Sequence, residues 1–161
     1  MESDDSLKPD IVLVWQDMVP QKWGESLIAF VLSVLDRLNI EECSMSLVFS
    51  SDTFIRELNK TYRNKDYATD VLSFPSGNVE APLSEPTTCI EGDLVISPFA
   101  VMRNAETFSV PPWEEMERVI VHGILHLAGM DHKTNEPVED MLVLQEKILS
   151  CVREEFEFEI R

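Results

Sequence analysis

Apolar and polar positions along the chain follow two periods, and their alternation sets out the elements. Residues 10–15 (DIVLVW) are a short β-branched and aromatic run, which predicts a strand. Over 22–38 the apolar residues Leu27, Phe30, Val31, Val34, Leu35 and Leu38 recur at three- and four-residue steps, which predicts a helix. Residues 44–49 (SMSLVF) read as a second strand. A helix over 52–62 follows, with Phe54, Ile55, Leu58 and Tyr62 on one face and Ser51 or Asp52 available as its cap. Residues 69–74 (TDVLSF) read as a strand stopped by Pro75, 76–88 as a loop, 93–96 as a strand and 98–107 as a short helix. Pro111-Pro112 opens the next helix, and Glu114, Glu115 and Glu117 suit its positive end. That helix should run to 127 or 128, where Gly129 is placed to end it in a left-handed turn. Residues 136–152 read as the last helix. Short strands and helices without repeats or an internal boundary predict an α+β fold, in one domain over 1–161 with residues 1–9 flexible.

A chain of 161 residues buries enough surface to fold without a disulfide or a metal, so a bound ion would call for a functional explanation. Cys43, Cys89 and Cys151 are widely spaced and form neither a disulfide framework nor a zinc ribbon; they read as small core residues. No apolar run reaches the roughly 18 residues of a membrane span, and the acidic start MESDDSLKPD lacks a signal peptide's features, so a cytoplasmic location is expected. The net charge of −17 argues against a general nucleic-acid-binding surface. Arg56, Lys60, Arg63 and Lys65 nevertheless concentrate in RELNKTYRNKD, and such a local basic spot can steer an anion.

All three histidines lie within VHGILHLAGMDH. On a helix His122 and His126 share a face. Their neighbours are apolar nearly all round, so two buried imidazoles would be costly without partners, and a metal satisfies both. A glycine turn at Gly129 lets His132 reach the same ion. The H-x-x-x-H-x-x-G-x-x-H frame matches that of the metzincin proteases, and three ligands leave a fourth position for water. Zinc, one per chain, is the expected ion, although three imidazoles also suit other transition metals. Where those proteases carry a glutamate base, this chain has Gly123. A glycine inside a helix costs roughly 1 kcal/mol, which suggests close approach by substrate backbone or a packed strand.

Taken together, HGILHLAGMDH, LNKTYRNKDYATDVLSFP and EGDLVIS closely resemble the YbeY family of bacterial rRNA maturation factors, from about Ser44 to the last helix. The resemblance implies a zincin-like fold in which a small mixed sheet packs against about five helices. It implies a zinc-dependent endoribonuclease acting on single-stranded RNA and rRNA precursors, in maturation of the 3′ end of small-subunit rRNA and in ribosome quality control. It maps the metal ligands onto His122, His126 and His132, and a functional arginine onto Arg63. Zinc chemistry on a phosphodiester, by activating water or stabilising the phosphoryl charge, suits an arginine fork beside the ion.

Asp131 is expected either to orient a ligand or to stabilise its turn. Asp70 and Ser73 are cleft candidates on their strand, and Asp93 is treated the same way. Two other functions stay open. One is an assembly factor with a structural zinc, its acidic body docked on a basic protein of the small subunit. The other is a peptidase, which lacks the expected base.

Overall fold

A computed structural model describes residues 9–76 and 83–155, the last two as backbone only. The flexibility expected of 1–9 falls, but for Pro9, outside the described residues, as does part of the loop expected over 76–88. The elements run β1 (Asp10–Gln16), α1 (Trp23–Arg37), β2 (Glu42–Ser50), α2 (Asp52–Arg63), β3 (Val71–Pro75), β4 (Cys89–Ile96), α3 (Pro98–Phe108), α4 (Pro112–Leu127) and α5 (Asp140–Glu155). The expected elements all form, and the differences lie at their ends. β4 begins four residues before the expected 93, because its first half pairs with β2 from Glu42↔Cys89 onward. α5 begins four residues later than expected. Pro137 precedes it, and the Glu139 carboxylate accepts the Lys133 and Thr134 amides, which holds a turn in place of a helical start.

The strands form one mixed sheet in the order β1-β2-β4-β3. β1–β2 and β2–β4 are parallel; β3 joins β4 antiparallel as an edge. One face packs against α1, α4 and α5 through Leu27, Phe30, Leu47, Leu94, Ile120 and Ile124, all fully buried. The other face carries α2, where Ile55 meets Leu72 and Val95. α2 is capped as expected: the Ser51 hydroxyl accepts the Phe54 amide at 3.2 Å. Of the cysteines only Cys43 is a core residue. Cys89 is exposed at the outset of β4, and Cys151 is half-buried, so the expectation of three core thiols fails where a chain position meets solvent.

α4 is the central helix and carries buried charge. Glu117 is 3 % exposed and faces Arg153 of α5, with Oε1 3.7 Å from Nε. Burial pushes its carboxyl up to about 7, against the pull of Arg153. Unfolded, the group ionises near 4.5, so between those values the folded chain keeps a proton that the unfolded chain has shed. Stability therefore falls as pH rises through that window. Glu117→Gln should raise the melting temperature at pH 8, by the equivalent of up to about 3 kcal/mol, and change it little at pH 4.5. Equal shifts at both pH values would contradict this assignment.

Candidate metal centre

α4 brings Glu115, Arg118, Val119, His122 and His126 to one face, the floor of a cleft of about 1000 Å³. The helix stops at Gly129, whose φ of +93° strains any other residue. The Gly129 amide donates to His126 O and the Met130 amide to Leu125 O, each at 3.0 Å, closing the helix as its sequence predicts. The chain turns back and brings His132 to the pair. Ring centroids are 4.7 Å apart for His122–His126, 5.1 Å for His122–His132 and 5.6 Å for His126–His132. One nitrogen from each ring lies within 4.8 Å of the others, so the three could hold a metal ion.

The second nitrogen of each ring shows what the first must do. His126 Nδ1 lies 3.1 Å from the Met130 carbonyl, and His132 Nδ1 lies 2.8 Å from the Thr134 carbonyl. A carbonyl only accepts, so both Nδ1 atoms carry the proton and both Nε2 atoms are bare when the rings are neutral. His122 Nδ1 meets the Gln145 side-chain oxygen at 2.7 Å. His122 Nε2 and His126 Nε2 then face each other at 3.1 Å. Burial lowers both rings' affinity for a proton, and His126, beside His122, falls to about 4. At neutral pH the half-buried lone pairs converge with no proton to separate them. A divalent cation resolves that arrangement, and the donor set fits one.

The other expected site residues separate. Arg63 is the last residue of α2, and with Lys65 it lines the cleft; its Nη2 reaches Ser73 O at 3.5 Å. Lys60 does not line the cleft, and Arg56 is paired with Asp66 at 2.8 Å. Asp70 and Ser73 both line the cleft, yet both are committed. The Asp70 carboxylate accepts from Val71 N and Asn104 Nδ2, and the Ser73 hydroxyl donates to Gly123 O at 3.3 Å. Asp131 accepts the His132 amide at 2.8 Å and stands 3.9 Å from His126 Nδ1, so its hydrogen bond is to the turn. Asp93 is no part of the cleft. Leu94 next to it points at α4, and strand alternation turns Asp93 to the opposite, exposed face.

Gly123 is explained by packing. A Cβ there would lie 2.6 Å from Leu94 Cδ2, so β4 is the close neighbour, and a glutamate at this position would drive its carboxylate into the core. Gln145, Glu115, Arg118 and Tyr67 complete the cleft without having been singled out by sequence. Glu115 reads as a dipole charge and Gln145 as one polar position of α5; only the tertiary fold turns them inward.

Three imidazoles on a helix and its glycine turn, at the base of a half-basic cleft on an α+β sheet, define a metal-site protein of hydrolase type. The family described as Endoribonuclease YbeY matches residues 14–153. A relative of that name from Treponema denticola is 48% identical over 120 residues, 74% of this chain and 77% of its own. Another from Borrelia turicatae is 38% identical over 148 residues, 89% of this chain and 95% of its own. The solution structure of TM1509 from Thermotoga maritima aligns with a TM-score of 0.61 at 27% identity, over 89% of this chain and 91% of that one. The chain belongs to the endoribonuclease YbeY family.

Proposed function

We propose that this chain is a single-strand-specific endoribonuclease that matures the 3′ end of small-subunit rRNA and acts in ribosome quality control. Residues 1–161 serve as one domain, and His122, His126 and His132 hold one zinc. The observation that carries the reading is the set of three half-buried imidazole nitrogens at the foot of a cleft whose wall bears Arg63 and Lys65. Bound zinc supplies Lewis acidity toward a phosphoryl oxygen and an activated water. Arg63 supplies a planar pair of donors matched to a phosphate, and Lys65 a second positive charge. The strongly acidic remainder of the chain repels RNA elsewhere and suits docking on a basic ribosomal protein. Gly123, packed on Leu94, leaves no place for a protease's base. Among the described residues no helix is long and apolar enough to cross a membrane.

The test is cleavage of single-stranded RNA and of an rRNA precursor by zinc-loaded protein, beside Arg63→Glu. We expect Arg63→Glu to keep its zinc and lose at least tenfold in cleavage, since a charge reversal beside a phosphate costs more than about 1.4 kcal/mol. Zinc-loaded protein that cuts neither RNA would overturn the nuclease reading. Cleavage indifferent to Arg63→Glu would remove that residue from the site.

A further inference from the structure

We infer that Gln145 is a positioning residue that commits His122 to metal binding through Nε2, and that the Arg118–Glu146 pair sets the direction in which Gln145 does so. The inference rests on the metal reading above and adds to it residues on two helices that no ligand motif contains.

The chain of hydrogen bonds has a polarity fixed at its far end. Arg118 can only donate, and its Nε lies 3.2 Å from both carboxylate oxygens of Glu146, with Nη2 at 3.2 Å from Oε1. Both carboxylate oxygens of Glu146 accept from that guanidinium. Gln145 Nε2 donates to Glu146 Oε2 at 3.3 Å. Rotating the amide by half a turn would set its oxygen against the carboxylate, so the amide has one favoured orientation. Its oxygen is thereby turned to His122 Nδ1 at 2.7 Å. That oxygen only accepts, so Nδ1 holds the proton and Nε2 presents its lone pair beside His126 Nε2. Arg118 stands four residues before His122 on α4, so α4 fixes its own ligand by a loop through α5.

Gln145 differs in kind from the other two groups that hold the imidazoles. His126 and His132 rest on backbone carbonyls, which no side-chain change removes. Gln145 is a buried side chain, 7 % exposed, and the only one of the three on another helix. It is also uncharged. All three imidazole Nδ1 atoms therefore lean on neutral acceptors, with the Asp131 carboxylate standing 3.9 Å from His126 Nδ1 without replacing the Met130 carbonyl as its partner.

The test compares wild type with Gln145→Leu, which keeps the volume without the acceptor, Gln145→Glu, which keeps an acceptor, and Glu146→Ala, which frees the amide. Zinc affinity is read by competition with a chromogenic chelator. The imidazole N–H protons of the zinc-loaded protein are read by NMR, where three histidines give a sparse spectrum. Melting of the metal-free proteins separates folding from binding. We expect Gln145→Leu to bind zinc about 10- to 100-fold more weakly and to lose the slowly exchanging His122 Nδ1–H signal. Gln145→Glu should bind within a few-fold of wild type, and Glu146→Ala should fall between. Wild-type affinity in Gln145→Leu, or equal weakness in Gln145→Leu and Gln145→Glu with metal-free melting unchanged, would overturn the role. If wild type itself binds no zinc, the metal reading fails as a whole; if it binds and the variants match it, only the role of Gln145 fails.

Discussion

His126→Ala should leave the protein folded, without its metal, and at least about a thousandfold slower in cutting RNA. His126 is the middle ligand: its Nε2 is 3.1 Å from that of His122, and its Nδ1 is anchored on Met130 O. Removing it leaves two imidazoles, one of them on the exposed turn after Gly129, too few for the three-protein-ligand set of a hydrolytic zinc. Loss of a Lewis acid worth several kcal/mol in the transition state corresponds to a thousandfold or more. The same change removes zinc's effect on melting, since an ion stabilises the folded chain only in proportion to its occupancy. The decisive measurements are zinc content by atomic absorption, the rise in melting temperature on adding zinc, and cleavage rate. Chelator-treated wild type should match the variant in all three. A metal-free variant cutting RNA at the wild-type rate would show that cleavage needs no ion. Loss of zinc and stability in the variant, with no cleavage in either protein, would favour the assembly-factor reading.

Gly92→Ala is expected to have the largest effect on stability, about 3 kcal/mol or more, although Gly92 touches no ligand. Its φ of +156° is one that side chains rarely adopt, and a Cβ there would lie 2.4 Å from Phe74 O and 2.9 Å from Pro75 Cα. Both are backbone atoms of β3, so relief requires the edge strand to move. Backbone strain and overpacking each cost about 1–3 kcal/mol. At this chain length the sum lowers the melting temperature by roughly 10 °C. Gly123→Ala provides the contrast. The added carbon meets the end of the Leu94 side chain, which can shift, and about 1 kcal/mol of helix propensity is recovered. Calorimetry should therefore rank Gly92→Ala well below Gly123→Ala, and a shift of less than about 3 °C in Gly92→Ala would contradict the close approach. Because β3 carries Ser73 and begins directly after Asp70, both of which line the cleft, the same displacement should reduce cleavage even where the variant is folded.

What the sequence discloses here follows from how far apart the cooperating residues lie. The histidine cluster is legible because one helix and one glycine turn place it: His122 and His126 by periodicity, His132 by the φ that Gly129 alone supplies readily. The strands and helices are legible for the same local reason. Pairing is not. The early start of β4 depends on β2, and the side of the sheet on which Asp93 lies depends on which neighbour points at α4. Gln145 stands 23 residues from His122, and its inward direction depends on how α5 packs. Glu115 looks like a dipole charge until the fold closes over it. Asp131 has two readings that sequence cannot separate; in the fold its carboxylate accepts the His132 amide and stands 3.9 Å from His126 Nδ1.

The three histidines and two of the three carbonyl or amide oxygens that hold them lie between residues 122 and 134. Bringing these side chains together closes a loop of only about ten residues, whose entropy cost is small and whose closure takes on the order of 10–100 ns. β2–β4 pairing, by contrast, joins positions 47 residues apart, as in Cys43↔Ile90. The geometry that gathers the three imidazoles is therefore local to one short segment, while the sheet beneath it depends on distant pairing. α5 adds Gln145, the one of the three supports that comes from outside this segment.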